Sequence, residues 1–159
     1  MTSFTTGSIR SPVHVPPTAD DFCEVAMARQ GHPGDPLPDA DRRWPGRVRR
    51  ITRARLRYWK ADGLVERAEL IVSELVTNAF AHGRGPVVRL WLSRMETYVR
   101  IEVGDGGTVD LPERPTGEAY AENENESGRG LELVAACADA WGAGRASVWC
   151  ALRIPERQP

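Results

Sequence analysis

Three groups of residues in this chain have the types and the spacing to do chemistry. In Glu74-Leu75-Val76-Thr77-Asn78-Ala79-Phe80-Ala81-His82, Glu74 and Asn78 stand four apart and project as neighbours from one helix face. The Asn78 amide oxygen is a hard metal ligand, and the Glu74 carboxylate can take a proton or orient a nucleophile, which together suit a magnesium-phosphate site. Spacing alone leaves a second reading open, ordinary polarity on a solvated helix. The second group is Gly104-Asp105-Gly106-Gly107, directly after a strand-like run ending at Val103. Alternation puts Asp105 on the face of Val99, Ile101 and Val103, towards the core. A carboxylate there needs donors: it either caps a turn of the glycine loop or accepts from a ligand amine or amide, which the glycines would let come close to the backbone. The third group, Ser127-Gly128-Arg129-Gly130-Leu131, opens a helix. Main-chain N–H groups at a helix start, with about half a positive charge from the helix dipole, form a phosphate site. The alternative is a hinge ahead of a helix.

These groups need elements to carry them. From Arg47 to Ala61 the apolar positions Val48, Ile51, Ala54, Tyr58 and Trp59 recur at three and four, which predicts a helix with one buried stripe. Seven of the fourteen residues from 47 to 60 are Arg or Lys, so its other face is either solvated or a docking surface for an acidic partner or a phosphate-bearing ligand. Asp62-Gly63 breaks this helix. A second runs from about Leu64 to His82, with Ala68, Ile71, Val72, Leu75, Val76 and Ala79 as its apolar face, and Gly83 is expected to stop it in the left-handed conformation. Pro86 to Leu92 and Tyr98 to Val103 alternate as an antiparallel hairpin that buries Val88, Leu90, Leu92, Val99, Ile101 and Val103.

An irregular acidic stretch from Gly106 to Ser127 has the length of a lid or binding loop. A helix from Gly130 to about Ala140 and a strand from Ser147 to Leu152 close the series. Residues 1–45 are punctuated by prolines and form an arm, in which Phe22 to Met27 alternates as one strand added to a sheet edge. Helix, helix, hairpin, lid, helix and strand in that order predict an α/β chain of the α+β two-layer type. In it, helices pack on one face of a mostly antiparallel mixed sheet.

The bulk numbers set limits. A length of 159 residues fits one domain. With a net charge of −1 there is no global field to attract nucleic acid, so no direct nucleic-acid partner is expected. No apolar run approaches the roughly 18 to 20 residues of a membrane span, and the first fifteen residues lack the order of a secretory signal, so a cytoplasmic location off the membrane is expected. Cys23, Cys137 and Cys150 are odd in number and far apart, and are expected as reduced thiols.

Taken in order, the three groups resemble the signature boxes of the GHKL ATPases, whose fold is the Bergerat ATP-binding fold. Glu74 to His82 is similar to the N box, Asp105 to Gly107 to the D-x-G of the G1 box, and Gly128 to Leu131 to the G2 box. Ser73-Glu74-Leu75-Val76-Thr77-Asn78-Ala79, closed by His82-Gly83, is especially similar to the anti-sigma-factor serine kinase branch. The resemblance spans about residues 47 to 154. It implies a histidine-kinase-like ATPase domain over 46–155, followed by a tail over 156–159, while the proline-punctuated arm over 1–45 has no counterpart in the boxes. It also implies ATP and Mg2+ as ligands, Glu74 as the base, Asn78 on the metal, and His82 closing the N box as part of the nucleotide site. Asp105 would receive the adenine amine, Gly107 would lie near the base, and Gly128, Arg129, Gly130 and Leu131 would line the phosphates. Ser147-Val148-Trp149 is similar to a Thr-Val-aromatic strand whose hydroxyl supports the adenine-binding Asp. The implied activity is protein serine/threonine kinase, with a sigma factor and an anti-sigma antagonist as partners and a homodimer allowed. The alternative is a nucleotide-sensing module that sequesters a partner without phosphoryl transfer. After Gly107 the sequence continues Thr108-Val109 without a second spaced glycine, a departure from the larger members of the family.

Overall fold

The computed structural model describes Pro16 and residues 18–105, 126–143 and 147–156, with the backbone alone for 126–130. Gly107 and the expected acidic lid lie outside the described residues. In chain order the elements are β1 (Asp21–Ala28), α1 (Asp39–Arg42), α2 (Trp44–Tyr58), α3 (Val65–His82), β2 (Val87–Arg94), β3 (Tyr98–Gly104), α4 (Glu126–Cys137), β4 (Ala140–Ala143) and β5 (Ser147–Arg153). Among the described residues the strands form one five-stranded sheet in the order β1-β2-β3-β5-β4. Every pairing among the described residues is antiparallel, in keeping with the mostly antiparallel sheet expected. β4 runs in the direction of β3, but β5 lies between them, so those two strands do not pair.

Alternation along the strands sends Val25, Met27, Val88, Leu90, Leu92, Val99, Ile101, Val103, Cys150 and Leu152 to one face. There they pack with Val48 and Leu56 of α2, with Ala68, Ile71, Val72, Leu75, Val76 and Phe80 of α3, and with Val134 of α4. The hairpin register, Leu92 opposite Ile101 and Leu90 opposite Val103, delivers the predicted buried set.

α2 starts three residues before its periodicity does, because Pro45 is tolerated in a first turn whose N–H groups lack helical partners in any case. It ends at a left-handed residue that is neither Asp62 nor Gly63. Lys60 has φ 57°, the Ala61 N–H donates to Leu56 O at 2.8 Å and the Lys60 N–H to Arg57 O at 3.0 Å, a Schellman stop built on lysine. Asp62–Leu64 then forms a short 3-10 turn into α3. Gly83 also departs from expectation: its φ and ψ are −73° and 159°, an extended conformation open to any residue. The glycine is required by space. A Cβ there would overlap the Ala79 carbonyl oxygen and the Asp105 carboxylate and stand 2.9 Å from the Asp105 Cβ.

The strand expected in the N-terminal arm forms over Asp21–Ala28 and pairs along its length with β2. Side chains fasten it at both ends. At its start, Asp21 Oδ2 accepts from Trp59 Nε1 at 2.8 Å and lies 3.6 Å from Arg55 Nη1. The Trp59 bond, helped by the neighbouring arginines, holds the Asp21 carboxyl below the usual carboxylate range. Just past its end, the buried Asp41 accepts from the Gln30 and Gly31 N–H groups, each at 3.0 Å, and closes the turn back into α1.

α4 occupies Glu126–Cys137, so Gly128 and Gly130 fall inside its first turns instead of ahead of it. α4 stops at Cys137, short of the expected end near Ala140, and Ala140–Ala143 is a further strand, hairpinned onto β5. Gly142 is needed there because a Cβ would stand 2.7 Å from the Trp149 indole nitrogen. Among the described residues all three cysteines are free, and burial pushes the Cys150 thiol up to about 12, which leaves it inert. No described helix is long and apolar enough to cross a membrane.

Candidate functional site

α3 has two polar flanks with different neighbours. On one, Ser73 accepts from Arg49 Nη1 at 2.7 Å and Glu69 pairs with Arg53 at 2.7 Å, so this flank lies against α2. On the other, Arg67 Nη1 donates to Cys137 O at 3.1 Å and lies 3.7 Å from Asp139 Oδ2, so this flank lies against the end of α4. Glu74 and Asn78 follow Arg67 at seven and eleven residues, and therefore share its side of the helix. Both are half-buried. Helical spacing alone contained this signal for Arg67, which the sequence reading passed over.

α4 packs along α3, and its last residue sits at the first turn of α3. The packing sets the end of α4 beside the start of α3, away from the C-terminal half of that helix. This is the half that carries Glu74, Asn78 and the exposed His82. Of the G2-like residues, Leu131 is half-buried against the core, and Gly128, Arg129 and Gly130 lie on the first turns of α4.

Asp105 completes the corner. It follows β3 and is buried, as alternation predicts, with only 6% of its surface exposed. Its Oδ2 accepts from the Arg84 main-chain N–H at 2.9 Å. Gly83, in van der Waals reach of the Asp105 side chain, is five residues past Asn78, about 7.5 Å along a helix axis. The carboxylate thus abuts the end of the helix that carries the acid-amide pair. Sequence spacing gave no access to this contact, which depends on a glycine needed for its missing Cβ.

Ser147 is directed differently from what the resemblance implies. It pairs in register with Gly104, and its hydroxyl donates to Glu102 Oε1 at 2.6 Å. Glu102 lies on the sheet face away from the helices, 1% exposed, in an ion pair with Arg100, whose guanidinium stacks 5.4 Å from the Trp149 ring centroid. A hydroxyl has one proton to give, and here it goes to Glu102.

One further residue was missed. Arg29, just after β1, donates from Nε to Gly85 O at 2.9 Å, from Nη1 to Phe80 O at 2.6 Å and from Nη2 to Ala79 O at 2.9 Å. These carbonyls belong to the last turn of α3 and the loop behind it, and the Ala79 oxygen is shared with the Gly83 N–H at 3.0 Å. No sequence pattern marks an arginine for this task.

A helix with a half-buried acid-amide pair, ending against a buried carboxylate, presents a carboxylate and an amide to a polar ligand. The family comparison agrees: the model for the histidine kinase-like ATPase domain matches residues 37–147. No curated protein matches the chain. The matched span runs from just before α1 to the first residue of β5 and takes in Glu74, Asn78, Asp105 and α4. With well over half its length matched, the chain belongs to the histidine kinase-like ATPase domain family.

Proposed function

We propose that this ATPase-family chain is an ATP-binding regulatory protein, an anti-sigma factor that phosphorylates a serine or threonine of an antagonist protein. The observation that supports it most is the meeting of Asp105 with Gly83, at the end of the helix that bears Glu74 and Asn78. In this reading Asp105 accepts from the adenine amine and the first N–H groups of α4 receive the phosphates. The Glu74 carboxylate takes the proton from the antagonist hydroxyl. The hydroxyl oxygen bonds to the γ-phosphorus as the bond to the β,γ-bridging oxygen breaks, and ADP leaves with that electron pair.

A magnesium ion fits the donors present. Asn78 offers one neutral amide oxygen, a hard donor of the kind magnesium takes. That matches an ion completed by phosphate oxygens and water, and when bound it would supply charge neutralisation on the phosphates. The protein's own part is positioning and proton transfer, which is most of what phosphoryl transfer asks.

The test is incubation with labelled ATP and a candidate antagonist. Transfer to a serine or threonine supports the kinase. Nucleotide binding without transfer supports a nucleotide-sensing module that holds its partner and transfers nothing. Within the kinase reading, Glu74→Ala should leave ATP affinity within about twofold and lower transfer by about 100-fold or more, because a general base acts on the barrier more than on the bound ground state. Equal turnover in the variant would remove Glu74 from that role.

A further inference from the structure

The loop between α3 and β2 is short and makes two sets of contacts. On its inner side, Gly83 touches the Asp105 side chain and the Arg84 N–H donates to Asp105 Oδ2 at 2.9 Å. On its outer side, Arg29 holds it at both ends. The guanidinium grips Ala79 O and Phe80 O before the loop and Gly85 O within it, and the Arg29 main-chain N–H donates to Pro86 O at 2.9 Å. The guanidinium also stacks 5.3 Å from the Phe80 ring centroid, which fixes its plane. Three of its N–H groups therefore carry fixed directions to three carbonyls, a fork that lysine's single ammonium lacks. Gly83 itself donates to Ala79 O at 3.0 Å, so the carbonyl that Arg29 holds is the one on which the glycine hangs.

We infer that Arg29 is a positioning residue for base recognition: from the N-terminal strand it sets the loop whose Arg84 N–H orients Asp105. It contributes from outside the matched family span, since that span begins at residue 37. The inference rests on the reading of Asp105 as the acceptor of the adenine amine. Arg29 touches no ligand in this arrangement. It acts through one loop and one main-chain donor.

Nucleobase discrimination provides a readout that general loosening of the fold would not move. ATP carries the exocyclic amine at position 6 and inosine triphosphate carries a carbonyl there, while the sugar and phosphates are the same. Calorimetric titration of the full chain with each gives a selectivity ratio. The wild type should prefer ATP, and Asp105→Ala should abolish the preference, which tests the underlying reading separately. Arg29→Gln should lower the ATP-to-inosine ratio by about tenfold, the scale of one hydrogen bond to a charged group, with inosine triphosphate affinity nearly unchanged. Arg29→Lys should recover only part of it. Arg84→Pro, which deletes the donor to Asp105, should lower the ratio as far, and Arg29→Gln added to it should lower it no further. If both affinities fall by one common factor in the Arg29 variants, Arg29 merely supports the fold and the inference is overturned. An unchanged ratio overturns it equally. Should Arg29→Gln fail to fold, Arg29→Lys and Arg84→Pro carry the same decision. A wild type without base preference sinks the Asp105 reading and this inference with it, a result distinct from preserved preference in the Arg29 variants.

Discussion

Glu102 and Asp105 lie three residues apart on and just after β3, both almost fully buried, and they face opposite sides of the sheet. Glu102 has an arginine beside it and a hydroxyl pointed at it, so its charge is met by charge and its geometry is closed. Asp105 accepts from the Arg84 main-chain N–H, delivered by the loop that follows the helix bearing Glu74 and Asn78. A buried carboxylate with a guanidinium partner belongs to the scaffold. One that takes a main-chain N–H from a loop at the end of a helix is oriented by that loop.

The sharpest way to break this contrast is Arg100→Met. Removing the cation beside the buried Glu102 should cost about 3 to 5 kcal/mol of stability, since breaking a buried ion pair from one side leaves the remaining charge in a dry setting. Urea unfolding measures the cost, and the ATP affinity of the folded variant should stay near that of the wild type. An affinity loss as large as the Asp105 variant's would show that the two carboxylates act as one site. Next in size, Asp105→Asn should weaken ATP binding by roughly 1.5 to 3 kcal/mol, the scale of a hydrogen bond to a charged group, while the melting temperature barely moves. The asparagine oxygen can still accept from Arg84, so the fold keeps its contact. Titration calorimetry with unchanged affinity would remove Asp105 from the site.

Ser147→Ala sharpens the same line at about 1 to 2 kcal/mol, taken from stability and not from nucleotide binding. Were ATP affinity to drop instead, the hydroxyl would serve Asp105, as the family resemblance implies. The smallest effect belongs to a third carboxylate, Asp21, which is exposed by comparison. Its pKa is lowered on folding from 3.8, chiefly by the Trp59 hydrogen bond, so its contribution is present above that value and is lost as pH falls through the lower folded value. Asp21→Asn should therefore lose less stability than the wild type below pH 3.8, as denaturant midpoints at a series of pH values would record.

Much of this was legible in the residues themselves. The period of α3 and the alternation of β2 and β3 specify the core because each is long enough to repeat its pattern, and Asp105 could be assigned inward from the same alternation. Ala140–Ala143 escaped notice because four residues with a glycine among them show no period, and their pairing with β5 is what makes them a strand. Gly83 was singled out for the wrong reason: sequence reveals that a side chain is missing, while only packing reveals what fills its place. Lys60 could not be foreseen in the left-handed region, since lysine has no preference for it. The role of Arg29 is set by three carbonyls at least fifty positions away, beyond the reach of any local pattern.

The register of β1 has a consequence for how the chain reaches this structure. β2 finds β3 across a tight reversal, Arg94 opposite Val99, but Asp21 must wait for Arg94, with α1, α2 and α3 all lying between. Loop-closure entropy favours the hairpin first and the outer strand late, once the intervening helices have drawn their ends together. Until β1 arrives, one side of β2 presents bare main-chain groups, and the nascent chain is most exposed to intermolecular association during that interval.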